Sequence, residues 1–297
     1  MRILRTPDER FAGLPDFPYA PHYADGLTAF ESLRIHYLDE GPSDADQTFL
    51  CLHGEPTWSY LYRRMIPDFL AAGGRVIAPD FAGFGRSDKP EDDGVYTFDF
   101  HRDMLLALIR RLDLNNITLV VQDWGGLLGL TLPMELPDRF SRLLVMNTAL
   151  ATGEAPSEGF VQWRAFVAAN PDLAVGRLMK RSCPHLSEAE TAAYDAPFPD
   201  MAYKAGVRRF PQMVMTEPGM DGVEASRKAS AFWRDEWDGR SFMAIGVADP
   251  VLGAPVMEKL RAGIRGCPEP LMLPNAGHFV QEWGEEVARA ALASFSA

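Results

Sequence analysis

The chain of 297 residues is 47% hydrophobic, enough to bury a full α/β core with room for an inserted subdomain. With 29 basic and 41 acidic residues it carries a net charge of -12 and has no Lys/Arg cluster that would track a phosphate backbone, which argues against nucleic acid as a partner. Met1 to Arg10 contains no apolar signal core, and no apolar run reaches membrane-spanning length, so a cytoplasmic protein with no membrane partner is expected. Cys51, Cys183 and Cys267 are odd in number and far apart, which fits reduced thiols better than a disulfide framework or a zinc site.

Taken in chain order, residues 27–31 and 33–39 read as two short β segments, and 47–52 as an apolar strand delivering His53-Gly54-Glu55-Pro56-Thr57-Trp58. Residues 60–71 have helical periodicity, stopped by Gly73 and Gly74, before an apolar strand at 75–79. Thr97 is a plausible N-cap for a helix running to about Leu112. The next run, Ile117 to Leu130, passes from an apolar strand without alternation through Asp123 into a Gly-rich helix start, as suits a strand covered on both faces. A further strand is expected at 141–146. Residues 149–219 then lose the strand pattern, are rich in Pro, Phe, Tyr and charges, and predict a helical lid. After it come a helix from 221 to 237, a strand at 241–247, a helix near 256–264, a strand at 269–273 and a closing helix. The alternation predicts a doubly wound, mostly parallel sheet in two parts, 1–148 and 220–297, around the insert at 149–219.

Three groups fall just after predicted strands: Asp123, Asp249 and His278. Asp123 is either a helix cap or a carboxylate nucleophile, placed at the sharp strand-to-helix turn where α/β-hydrolases carry the serine of G-x-S-x-G. The order nucleophile, acid, histidine is the order in that fold. A carboxylate can displace a leaving group from an sp3 carbon, giving an alkyl ester that water must cleave. His278, held by Asp249, would take a proton from that water, and the backbone amides of Glu55 and Trp124 would face the oxyanion. His53, beside Gly54 and Pro56, reads as support for its loop.

The sequence resembles the haloalkane dehalogenases, in the α/β-hydrolase branch that also contains epoxide hydrolases. The resemblance covers nearly the whole chain and rests on the runs His53 to Arg63, Asp80 to Pro90, Gln122 to Gly126 and Gly277 to Glu282. It implies an α/β-hydrolase fold with an inserted helical cap, small haloalkanes as substrates, halide as product, no cofactor and no metal. It implies a halide-binding indole at Trp124, the residue after the nucleophile. Many members supply a second donor from an Asn where this chain has Glu55. An ionised Glu would repel the halide, so the donor is expected from the cap, where Trp163 is the only tryptophan. The acid expected at Asp249, with neutral Asn147 at the alternative position, points to the same subgroup. By family position Leu127, Phe160, Phe210, Pro211, Val214, Val251 and Leu252 are expected to wall the substrate pocket. Trp58, Trp233 and Trp237 are expected to pack the interior, and Trp283 lies close after His278. The chain is expected to be a monomer. An epoxide hydrolase would share Asp123 and His278 but would need lid tyrosines, for which Tyr194 and Tyr203 are available.

Overall fold

The computed structural model describes residues 2–296. Its centre is set by two runs, Thr48–Leu52 and Ile117–Val121, in which every residue is buried. Apolar side chains on both faces of a strand are stable only with cover on both sides, so these two strands lie side by side in the middle of the sheet. The strands of this eight-stranded sheet are β1 (His22–Asp25), β2 (Arg34–Glu40), β3 (Thr48–Leu52), β4 (Arg75–Pro79), β5 (Ile117–Val121), β6 (Phe140–Met146), β7 (Arg240–Gly246) and β8 (Leu271–Leu273), and Ile3–Leu4 pairs separately with Lys89–Pro90. Across the sheet the order is β8, β7, β6, β5, β3, β4, β2, β1. The strands from β3 to β8 are parallel, and β2 and β1 continue antiparallel at one edge. From β3 the chain winds outward through β4 on one side and from β5 through β8 on the other. The strand ends of β3 and β5 therefore flank the switch point where ligands of open α/β sheets bind.

The helices are α1 (Ile66–Ala71), α2 (Phe98–Arg111), α3 (Asp123–Gly129), α4 (Glu158–Ala169), α5 (Val175–Ser182), α6 (Glu188–Asp195), α7 (Ala205–Met213), α8 (Val223–Asp235), α9 (Ala254–Ala262) and α10 (Gly284–Ser296). Thr97 caps α2, its hydroxyl accepting from Phe100 N at 3.1 Å, a contact that contributes about 1 kcal/mol. The segment between β6 and α8 holds α4 to α7 and no strand. No helix among the described residues is long and apolar enough to cross a membrane.

Two local expectations are corrected. The first β segment is His22–Asp25 rather than 27–31: Gly26 and Ala29 both have positive φ, so the chain turns there, and Phe30 N donates to Leu27 O at 2.7 Å. The helical stretch expected over 60–71 divides into a 3-10 turn at Ser59–Tyr62 and α1. Pro67 lies in the first turn of α1, where its missing N–H costs nothing, and it cannot continue a helix from upstream.

The insert is tied to the core at one place by buried charge. Arg63 is fully enclosed and donates to both oxygens of Glu282 at 2.8 Å and to Glu190 of α6 at 2.8 Å. Arg64 also reaches Glu190 and Glu282, and the Tyr194 hydroxyl of α6 donates to Glu282. In contrast, α4 buries only Val167 and leaves Val161 and Phe166 more than two-fifths exposed.

Candidate active site

Asp123 opens α3 directly after β5 and has a φ of 49°, a left-handed conformation rarely taken by residues other than glycine. The bend is held from both sides, because Asp123 N donates to Asn147 O at 2.9 Å and Asp123 O accepts from Thr148 Oγ1 at 2.7 Å. It also needs close backbone approach. A Cβ at Gly54 would overlap the Asp123 carboxylate, and one at Gly125 would overlap the Leu52 carbonyl.

The carboxylate then meets groups from the ends of two other strands and, through one of them, a third. Glu55 N, beyond β3, donates to Asp123 Oδ1 at 2.8 Å. His278 Nε2, beyond β8, stands 3.4 Å from Asp123 Oδ2. His278 Nδ1 is 2.8 Å from Asp249 Oδ2, beyond β7. Asp249 is fixed in turn: Oδ1 accepts from Val251 N at 2.8 Å and Leu252 N at 3.1 Å, and Oδ2 accepts from Asn147 Nδ2 at 3.0 Å. Burial alone would raise the Asp249 pKa, but His278, Asn147 and the Val251 amide together hold it well below the usual carboxylate range. Burial would likewise depress His278, yet Asp249 and Asp123 outweigh it and push the imidazole up to about 10.

Glu55 departs from expectation. Its side chain is buried against the nucleophile, Oε1 has no hydrogen-bond partner, and burial followed by the Asp123 charge drives its pKa well above the ordinary carboxyl value. Enclosure and the neighbouring Asp123 charge thus favour the neutral carboxyl over the ionised, halide-repelling group read from the sequence. Sequence reasoning could see the residue type but not its desolvation.

A cavity of about 860 Å³ opens over these groups, with Glu55, Asp123, Trp124, Trp163, Asp249 and His278 all on its wall. Leu127, Phe160, Pro211, Val214, Val251 and Leu252 line it as well. Phe210 does not, and this expectation is corrected. Pro211 in α7 and Val214 just past its end line the cavity, while Phe210, one position before Pro211, turns into the core and packs behind Trp124 with ring centroids 4.8 Å apart. Among the tryptophans, three indole N–H groups are committed to protein: Trp58 to Ala193 O, Trp233 to Leu130 O and Trp237 to Ser241 Oγ. Among the described residues no protein acceptor takes the indole N–H of Trp124, Trp163 or Trp283, and of these Trp124 and Trp163 line the cavity while Trp283 does not. Trp124 also lies in the first turn of α3, where a backbone N–H has no intrahelical carbonyl.

Other residues fall outside the reacting set. His53 is buried, donates from Nδ1 to Gly54 O at 2.9 Å and accepts at Nε2 from Phe81 N at 3.0 Å, so it is a neutral strut within the loop. Tyr194 is spent on Glu282, and neither it nor Tyr203 lines the cavity, which removes the ring-opening acid an epoxide hydrolase would need. Sequence reasoning missed the work of Asn147, which donates to Gly246 O and accepts from Gly246 N besides orienting Asp249. It also missed Gln122, buried against His278. The available signal was their position, each at the end of a central strand. No cluster of three or more metal-ligating side chains occurs among the described residues.

Fold and strand-end geometry together define an α/β-hydrolase, and a family model described as the alpha/beta hydrolase fold matches residues 47–285. The chain is 47% identical to a haloalkane dehalogenase of Psychrobacter cryohalolentis, over 97% of this chain and 96% of that one, and 46% identical to a haloalkane dehalogenase of Mycolicibacterium paratuberculosis, over 95% and 94%. A solved haloalkane dehalogenase from Paraglaciecola agarilytica is 56% identical, superposes with a TM-score of 0.98, and covers 100% of this chain and 99% of that one. The chain belongs to the haloalkane dehalogenase family of α/β-hydrolases. The Paraglaciecola protein is described as tetrameric, which differs from the monomer expected for this chain.

Proposed function

We propose that the protein hydrolyses the carbon–halogen bond of small haloalkanes, with Asp123 as nucleophile. An Asp123 oxygen attacks the saturated carbon from behind the halogen, the C–O bond forms as the carbon–halogen bond breaks, and the halide leaves with both electrons. The indole N–H groups of Trp124 and Trp163 receive it. Two charge-assisted hydrogen bonds contribute about 1.5 to 3 kcal/mol each. Water then attacks the ester carbonyl of Asp123 while His278 Nε2 takes its proton. The amides of Glu55 and Trp124 hold the oxyanion, and Asp249 steadies the imidazolium. Collapse breaks the bond between the carbonyl carbon and the alkyl oxygen. Alcohol departs, and a halide and a proton are the other products. Loss of the Asp123 charge on alkylation removes one of the two groups that favour imidazolium, so the covalent step itself releases His278 to act as base.

The observation that carries this reading is a carboxylate, not a hydroxyl, at the strained turn with a histidine 3.4 Å away and two uncommitted indoles over it. Residues 149–219 act as the cap that encloses the halide. The cytoplasm is the proposed site of action, in keeping with three free thiols. A tetramer like that described for the Paraglaciecola relative replaces the expected monomer, given likeness over the full chain. Light scattering that reports a single 33.0 kDa chain overturns that assembly. The reaction is tested by bromide release from 1-bromobutane and 1,2-dibromoethane in weak buffer, with acidification in step. No release across a varied panel of haloalkanes would sink the proposal.

A further inference from the structure

Gln122 directly follows the central strand β5, is fully buried and precedes the nucleophile. Two contacts orient its side-chain amide. Nε2 donates to His278 O at 3.0 Å, and Oε1 accepts from Gln281 Nε2 at 3.4 Å. Reversing the amide would set oxygen against the His278 carbonyl and nitrogen against the Gln281 donor, so its direction is fixed. In that direction the same nitrogen lies 2.9 Å from His278 Nε2, closer than the 3.4 Å to Asp123 Oδ2. An amide nitrogen donates and does not accept. The contact is therefore a hydrogen bond only while Nε2 offers its lone pair, with the ring hydrogen on Nδ1 and directed at Asp249.

We propose that Gln122 is a positioning residue for the base, donating to His278 Nε2 against the pull of the two carboxylates and so favouring, once Asp123 is esterified, the neutral ring with its hydrogen on Nδ1. This rests on the reading of His278 as the base for ester hydrolysis. The charged or titratable groups facing the ring are Asp249 beyond β7, Asp123 at the start of α3 and Glu55 beyond β3. Asp249 and Asp123 favour the imidazolium, and Glu55 would do so if ionised. Gln122 is the counterweight. Once Asp123 is esterified its charge is gone, and the balance lies between Asp249 and the amide. The attacking water takes the place of the amide hydrogen at the lone pair while the bond to His278 O keeps Gln122 at hand. After the water proton has moved to Nε2, the facing N–H groups repel. The imidazolium then gives its proton up more readily to the departing alkoxide oxygen.

The test separates the two chemical steps. Gln122→Met keeps the length of the side chain and removes the amide. Single-turnover rates of Asp123 alkylation and of alkyl-enzyme hydrolysis are followed by quench and intact mass across pH. The midpoint of the acid limb of hydrolysis should rise by about one pH unit, so hydrolysis well below it slows by about ten-fold. Alkylation, in which His278 moves no proton, should change far less. Gln122→Glu places an acceptor on Nε2 and should raise the midpoint further, trapping the adduct near neutral pH. A purely structural role would lower the plateau with the midpoint fixed, and that result overturns the proposal. Nitrogen NMR of His278 in unreacted enzyme reads the ring without turnover, so either variant suffices if the other misfolds. An unchanged His278 titration in the folded variant overturns it too. Absence of any adduct on Asp123 in the parent would instead defeat the reaction reading, and the NMR arm would still judge the amide.

Discussion

The α-carbon of Gly54 packs directly against the carboxylate of Asp123, leaving no room for a methyl group between them. Gly54→Ala must move the nucleophile or the loop that carries the Glu55 amide. A displacement near 1 Å at a reacting atom costs about 10²-fold, so burst-phase alkylation should fall by that order. A burst within two-fold of the parent would show that the two groups have slack between them.

Removal of the base should separate the half-reactions. His278→Ala keeps Asp123 and both indoles, so exposure to 1,2-dibromoethane should leave an alkyl ester that peptide mass mapping assigns to Asp123. An unmodified variant that still turns over would remove His278 from the scheme.

The charge on His278 has a signed consequence for stability. Its imidazole is raised from an ordinary 6.5 to about 10, so the ion pairs with Asp249 and Asp123 stabilise the fold fully below about 6.5 and are lost as pH rises through about 10. The thermal midpoint of the parent should fall across that window. Asp123→Asn removes one partner and should flatten the fall and shift it to lower pH. Identical curves for the two proteins would show that Asp123 does not hold the histidine charge.

The two uncommitted indoles on the cavity wall should be distinguishable from the committed ones. Trp163→Phe should weaken bromide binding by about ten-fold or more, the loss of one charge-assisted bond. Trp233→Phe loses a bond of 2.7 Å to Leu130 O deep in the core and should lower thermal stability instead, with bromide affinity little changed. Equal effects on fluorescence titration with bromide would mean that the cap indole is not a donor.

Glu55→Gln tests the protonation state of a buried group. If the carboxyl is already neutral, an amide of the same size changes no charge beside Asp123, and bromide affinity at pH 7 should stay within about two-fold of the parent, since neutral swaps in place cost little. A rise of ten-fold or more would report that a negative charge had been removed.

The parts of this molecule visible in its sequence are those written locally along the chain. Unbroken apolar runs announced β3 and β5, and the residues just past strands marked Asp123, Asp249 and His278, because parallel strands deliver their C-terminal ends to one edge. What escaped depends on neighbours distant in sequence. Phe210 and Pro211 are adjacent letters, yet a turn of about 100° per residue sends one behind Trp124 and the other into the cavity. The upward push on the Glu55 carboxyl comes from its enclosure and from Asp123, 68 positions on. Asn147 looked like a vacant acid position and is instead the donor that aims the acid.

The charge cluster around Arg63 makes the insert mechanically lopsided. Separating Glu190 or Tyr194 from Arg63 and Glu282 would strand buried ions, a cost of several kcal/mol, whereas α4 has only Val167 fully buried and no buried ion. Egress of alcohol is expected at the looser end, with α4 moving while α6 stays fixed to Glu282, four residues past His278. Amide hydrogen exchange should record this as fast protons over residues 158–169 beside slow ones over 188–195.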